Sequence, residues 1–279
     1  MQALPTLSTT HLFPVLDEHL LRLLQGLSPA QWEAPTLAPK WRVRDVALHL
    51  LDGNLRALSM LRDGHFAGPG PASPAYQDVV QFLNELNNSW VSAGQRLSPA
   101  VLTWLLELSG EAFSRYMASL DPQAPAVFSV AWAGEEQSAN WFHIARDYTE
   151  KWHHQQQIRQ AVGQEEPLLT RELYHPFLAT SVRALPHRYR HLSAPEGTTV
   201  ALTVSGPAGD TWHLQRVGQV WELGQQATGA ITTEVGIAPE LAWRLFTNSL
   251  PEQEARQQLQ VVGESAWAEP MYSVRAIMA

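Results

Sequence analysis

Apolar residues recur at helical spacing through the first two-thirds of the chain. Leu12, Leu16, Leu20, Leu23 and Leu24 make one stripe across residues 10–26. Pro14 suits the first turn there, where a missing N–H costs nothing. After a linker at residues 35–40, residues 43–63 run with only Gly53 as an interruption and stop at Asp63-Gly64. The glycine- and proline-rich residues 64–74 read as a loop. Residues 77–93 carry a third stripe with Val79, Val80, Phe82, Leu83 and Leu86. Ser98-Pro99 reads as an N-cap and first-turn proline opening a helix to about residue 120. A short apolar piece at 127–132 precedes a long helix over about 138–162.

Beyond Pro186 the pattern changes. Residues 198–205, 211–216, 219–223 and 229–235 are strand-like, with Gly206-Pro207-Ala208-Gly209 as a turn. Residues 239–248 and 251–257 read as helices and 260–262 as one more strand, with a last helix near the C-terminus. These elements predict an α+β protein of two domains. A helical bundle would occupy residues 1–185 and a small α+β domain residues 186–279.

Composition narrows the chemistry. The 279 residues are 45% hydrophobic, enough for a sizeable core. With 19 Lys and Arg against 27 Asp and Glu and no basic block, nucleic acid is not expected as a partner. The chain has no cysteine. That excludes disulfides, cysteine-ligated metals and a cysteine nucleophile, so any thiol would arrive on a small molecule. No secretory signal and no apolar run of the ~18–20 residues that span a bilayer is present, and the expected location is the cytoplasm, away from membranes. A dinucleotide fingerprint, a phosphate-binding loop and a nucleophile elbow are all missing.

Histidine and carboxylate are therefore the obvious ligand inventory. The stretch Trp141–Gln157 reads WFHIARDYTEKWHHQQQ. At 100° per residue, His143, Arg146, His154 and Gln157 fall within about 40° of Glu150. His153 points about 100° away from His154, so the two are not expected to share a site. Glu150 and His154 have the i, i+4 spacing through which a metal takes two ligands from one helix. Chance alone supplies about one such acidic–His pair in a chain with 27 acidic residues and 11 histidines, so a plain helix-surface pair fits the spacing equally well. His49 has Asp45, Asp52 and Arg56 at helical spacing. These four could be the wet face of an amphipathic helix. Alternatively, Asp45 or Asp52 could accept a hydrogen bond from a metal-bound His49.

The stretch Trp41-Arg42-Val43-Arg44-Asp45-Val46-Ala47-Leu48-His49-Leu50 resembles the W-x-V-x-D-x-x-x-H-L signature of the DinB superfamily. More narrowly it resembles the mycothiol-dependent maleylpyruvate isomerase family. The family's second motif, R-x-x-x-E-x-x-x-H, is matched by Arg146, Glu150 and His154. The ending Val262-Gly263-Glu264-Ser265-Ala266-Trp267-Ala268-Glu269-Pro270, then Ala276-Ile277-Met278-Ala279, is similar to the family's second domain, which resembles sterol carrier proteins. The resemblance implies a DinB-like four-helix bundle followed by a sterol-carrier-like domain. It also implies a divalent metal on His49, Glu150 and His154, zinc foremost, with nickel, iron or manganese as alternatives. The partners implied are a low-molecular-weight thiol and a small-molecule substrate; the net charge of −8 and the lack of a zipper pattern leave a monomer or homodimer as the expected state.

Two departures shape the expected activity. Many members have Asp three residues after the last ligand histidine, where this chain has Gln157. The isomerases use an arginine a few residues after a helical tryptophan, here Trp243, but Phe246, Thr247 and Asn248 stand there. Arg244 is the adjacent candidate for a catalytic role, and Arg146, on the ligand face, is the other. The expected class is a thiol-dependent isomerase or S-transferase, rather than maleylpyruvate isomerisation itself. The alternative is a non-catalytic metal-containing module whose C-terminal domain binds an apolar ligand. The cluster Pro186–His191 could bind an anion or serve as a linker, and Trp212 and Trp221 are core residues or line an apolar pocket.

Overall fold

A computed structural model describes residues 1–73 and 75–277. Pro74, at the end of the expected loop, and Met278 and Ala279, in the closing motif, lie outside the described residues. The contacts divide the chain into two units, each assembled from separate segments.

The helical unit comprises Thr9–Asp121 and Glu150–Pro167. Its helices are α1 (Phe13–Gln25), α2 (Pro29–Trp32), α3 (Val43–Arg56), α4 (Tyr76–Gly94), α5 (Pro99–Ser119) and the second half of α6 (Asn140–Ala161). Their limits follow the expected signals. Pro14 lies in the first turn of α1, and Ser98 Oγ accepts from Val101 N at 3.3 Å at the start of α5. The short α2 was not anticipated, although Ser28 and Gln31 form a reciprocal capping box. Beyond Arg56, α3 loosens into a π-helical segment, Ala57–Arg62, where a single α-helix was expected. The core is the stripe Leu20, Leu24, Val43, Val46, Ala47 and Leu51 packed with Leu102, Leu106 and Ile158.

Polar ties fasten α6 inside this unit. Lys151 Nζ lies 2.7 and 3.0 Å from the two Asp17 carboxylate oxygens of α1. Arg159 Nη2 donates to His19 O at 2.9 Å, and burial lowers the pKa of that guanidinium to about 10. Gly110 on α5 makes room for the first tie, because a Cβ there would lie 2.6 Å from Asp17 Oδ2.

The sheet-bearing unit comprises Met1–Ser8, Pro122–Thr149 and residues 168–277. It holds the first half of α6, α7 (Arg171–Ser181), α8 (Leu185–Tyr189), α9 (Pro239–Phe246) and α10 (Glu252–Gln258). Its strands are β1 (Gln2–Ala3), β2 (Thr199–Val204), β3 (Thr211–Val217), β4 (Val220–Gln226), β5 (Thr233–Ile237) and β6 (Gln260–Gly263). The order is β1-β4-β3-β2-β5-β6, with β2 and β5 parallel and the other pairs antiparallel. Val200 and Leu202 stand opposite Leu214 and Trp212, and these apolar pairs are buried.

Two expectations are corrected here, and a third is decided between its alternatives. The fourth expected strand begins at Thr233 rather than Gly229, because its ladders with β2 and β6 start there, opposite Val200 and Gly263. The last helix is a 3₁₀ segment, Ser265–Ser273, with Pro270 inside it removing a backbone donor. Trp212 and Trp221 are core residues: Trp212 lies against His175, and Trp221 Nε1 donates to Leu192 O at 3.0 Å. Edge strand β1 went unanticipated, since two residues carry no periodicity. Gly224 admits it, as a Cβ there would sit 2.4 Å from Gln2 O.

Candidate metal centre

His49 projects from α3, while Glu150 and His154 stand one turn apart on α6. The three offer donor atoms that all lie within 4.8 Å of one another. His154 Nε2 is 3.6 Å from Glu150 Oε2. Ligands about 2.0–2.1 Å from a tetrahedral ion are about 3.4 Å apart, so this pair is already near that spacing. The His49 and His154 rings meet edge to face at 4.6 Å between centroids.

The surroundings leave His49 suited to a metal. Its Nδ1 is buried and receives no hydrogen bond from any described residue. Burial, and after it the neighbouring His154, holds the His49 pKa well below the ordinary histidine value, with Glu150 opposing. The ring is therefore neutral near pH 7, the form that coordinates metals. Two imidazoles and one carboxylate form a donor set that fits a divalent transition ion and leaves room for a further ligand. A buried ring nitrogen without a protein partner accords with that fit.

Three neighbours complete the site. Gln157 Oε1 lies 2.9 Å from His154 Nδ1. Trp41 places its indole 4.9 Å from the His49 ring and 6.2 Å from the His154 ring, giving the site an aromatic wall. His153, expected to point elsewhere, has its ring 3.9 Å from that of His154. A 100° separation at the backbone is partly undone by χ rotation of two bulky rings. The helical arithmetic put Gln157 on the ligand face, whereas nothing in the spacing assigned roles to Trp41 or His153.

Neither acidic neighbour of His49 supports its ring. Asp45 caps α3, accepting from Arg42 N at 2.9 Å, and also accepts from Gln95 Nε2 at 2.7 Å. Asp52 lies 3.0 Å from Arg56 Nε and is buried rather than on a wet face. Burial raises its pKa and Arg56 opposes that shift.

The two candidate arginines belong to the sheet-bearing unit. Arg146 pairs with Asp147 at 2.6 Å, and its Nη2 lies 3.4 Å from His143 Nδ1. Arg244 Nη2 lies 3.4 Å from both Ser249 O and Glu254. Its own carbonyl receives Ser249 N at 2.8 Å and Leu250 N at 3.1 Å, closing α9. Asn248 takes φ 57°, the left-handed conformation common at helix ends, while Phe246 is fully buried. Positions 246–248 thus terminate the helix. In the 186–191 cluster, Arg188 Nε donates to Pro270 O at 3.2 Å and Arg190 Nη1 to His187 O at 2.6 Å. With Arg256, Glu252 and Glu269 they line a shallow cleft of about 440 Å³.

A helical unit carrying a two-histidine, one-carboxylate triad, together with a unit built on a mixed six-stranded sheet, defines an α+β protein with a candidate metal centre. Residues 13–159, just over half of the chain, match the mycothiol maleylpyruvate isomerase N-terminal domain, and the chain belongs to that family. Among solved structures, it is similar to a point mutant of the mycothiol-dependent maleylpyruvate isomerase, with a TM-score of 0.55 at 14% identity over 95% of this chain and 97% of that one. The structure of the mycothiol-dependent maleylpyruvate isomerase itself aligns with a TM-score of 0.52, at the same identity and coverage. At that identity the likeness is one of fold. No curated protein sequence matches.

Proposed function

We propose that this protein is a metal-dependent enzyme of the small-thiol-dependent isomerase or S-transferase type. The observation that carries the reading is the convergence of His49, Glu150 and His154 in a member of this family. His49 contributes a neutral ring and His154 a second imidazole, while Glu150 supplies the carboxylate. A divalent ion held there, zinc foremost, would lower the proton affinity of a thiol that joins it, making a nucleophile near pH 7. The absence of cysteine accords with a thiol supplied as a small-molecule co-substrate.

Arg146 and Arg244 are the proposed holders of an anionic substrate group. Each already has a carboxylate partner, Asp147 and Glu254, that an incoming anion would have to displace or share. Because Phe246, Thr247 and Asn248 occupy the place where the isomerases carry an arginine, the proposed reaction is a related thiol-dependent one rather than maleylpyruvate isomerisation. The same observation favours the second reading, a metal-containing binding module without chemistry.

The deciding experiment measures metal content of untagged protein by elemental mass spectrometry, beside His49→Ala and Glu150→Ala. Near one equivalent of a transition metal is expected in the wild type and loss of it in both variants. Thiol-transfer assays on the loaded protein then separate enzyme from binder. Folded wild-type protein that takes up neither zinc nor nickel would end the metal reading.

A further inference from the structure

We infer that Gln157 is the positioning residue of this centre: its amide oxygen holds His154 in the Nδ1–H tautomer, directing the Nε2 lone pair toward His49 and Glu150. This rests on the metal reading above. His154 and Gln157 are both buried, at 9% and 5% exposure, so water does not compete freely for the ring nitrogen. The contact is 2.9 Å, within the normal range for a ring N–H donating to an amide oxygen. An amide oxygen can only accept, so the proton of this hydrogen bond belongs to Nδ1. In the neutral ring Nε2 is then left without a proton, 3.6 Å from Glu150 Oε2. The two residues are three apart on α6, so the same helical turn that brings His154 to the site brings its anchor.

The choice of glutamine has a consequence of its own. A carboxylate at this position would add a second negative charge beside Glu150 and would be a stronger acceptor from the ring N–H. The neutral amide fixes the tautomer while leaving Glu150 as the only formal charge among the three ligands and this anchor. The site is thereby tuned toward a more cationic, more weakly retained ion. His49 has no corresponding anchor, since its Nδ1 has no hydrogen-bond partner among the described residues. Orientation of the pair of imidazoles therefore depends on the His154 side.

The test combines two readouts on the metal-free and zinc-loaded protein. Two-bond ¹H–¹⁵N correlation spectra of metal-free protein, recorded above the histidine titration range, report the His154 tautomer, with its signal assigned by loss in His154→Asn. Zinc affinity is measured by competition with a chromophoric chelator. Wild type is expected to show the Nδ1–H tautomer. In Gln157→Leu the tautomer should become mixed and zinc affinity should fall about 10–100-fold. Gln157→Glu, which keeps an acceptor at the same reach, should hold zinc at least as tightly as wild type. If Gln157→Leu does not fold, Gln157→Asn, polar but too short to reach, is expected to show the same loss. An Nε2–H tautomer in wild type, or unchanged tautomer and affinity in a folded Leu or Asn variant, would overturn the inference. The two readings fail separately. A Gln157-dependent tautomer in protein that never binds zinc upholds the positioning role and removes the metal. Equal zinc affinity in wild type and Gln157→Leu keeps the metal and removes the role.

Discussion

At the scale of single residues, burial decides which histidines can act as ligands and which respond to pH. His49 and His143 are both held below the ordinary histidine pKa, chiefly by burial. For His143 the facing groups are Asp147, with a carboxylate oxygen 3.4 Å from Nε2 and raising the pKa, and Arg146, which lowers it. The sign of the resulting pH effect follows directly. Above pH 6.5 the ring is neutral in both folded and unfolded chains. As pH falls below 6.5, the unfolded chain takes up a proton that the buried ring refuses, so stability is lost until the folded pKa is reached. His143→Gln, which cannot titrate, should flatten the dependence of unfolding free energy on pH between 7 and 5. The slope difference is bounded at about 1.4 kcal/mol per pH unit, and urea titrations at several pH values measure it. Equal slopes in both proteins would mean that His143 is not the source. The candidate ligands were legible at this scale: His49 stands in one motif, Glu150 and His154 in a second, and helical arithmetic put Glu150, His154 and Gln157 on one face. Trp41 and His153 were not, because their rings reach the site through side-chain rotations that backbone spacing does not specify.

At the scale of elements, helix ends were written in local chemistry, as Ser98-Pro99 and Pro14 illustrate. What joins the helices was not. The Asp17–Lys151 pair links α1 to α6 across 134 residues and lies beside Gly110 on α5, with Lys151 Nζ 4.6 Å from the centre of the Phe113 ring. Both side chains are largely buried, at 16% and 10% exposure, so removing Asp17 strands a charge. Asp17→Ala should cost about 3 kcal/mol by denaturant unfolding. Gly110→Ala alone should also destabilise, because its Cβ collides with the carboxylate that Lys151 holds in place. In an Asp17→Ala background the collision is gone, and the same change should stabilise by about 1 kcal/mol through helix propensity. A double-mutant cycle with no such reversal of sign would show that the carboxylate is not what reserves the space. The fourth strand and the closing helix were misplaced for a related reason. Pairing partners and proline geometry in the tertiary structure, rather than local composition, decided where each began and what helix it became.

For the molecule as a whole, the candidate ligands lie within one contact unit yet come from segments about a hundred residues apart in sequence. Only the folded arrangement of α3 and α6 makes them a site, so metal binding should stabilise folding by linkage. Zinc at about 100 times its dissociation constant should add about 2.7 kcal/mol. Differential scanning calorimetry should show the melting temperature rising with zinc in wild type and staying fixed in His49→Ala. An identical rise in both proteins would point to zinc bound elsewhere. By itself the sequence determined the α+β composition, most helix and strand positions and the frame of the metal motifs, because periodicity, capping and turn chemistry act between near neighbours. The tertiary structure alone decided the edge strand from residue 2 and the burial of His49 Nδ1. It also assigned Asp45 and Asp52 to other partners. Those outcomes depend on which distant groups compete for the same buried hydrogen bonds and space, and that competition exists only once the chain has packed.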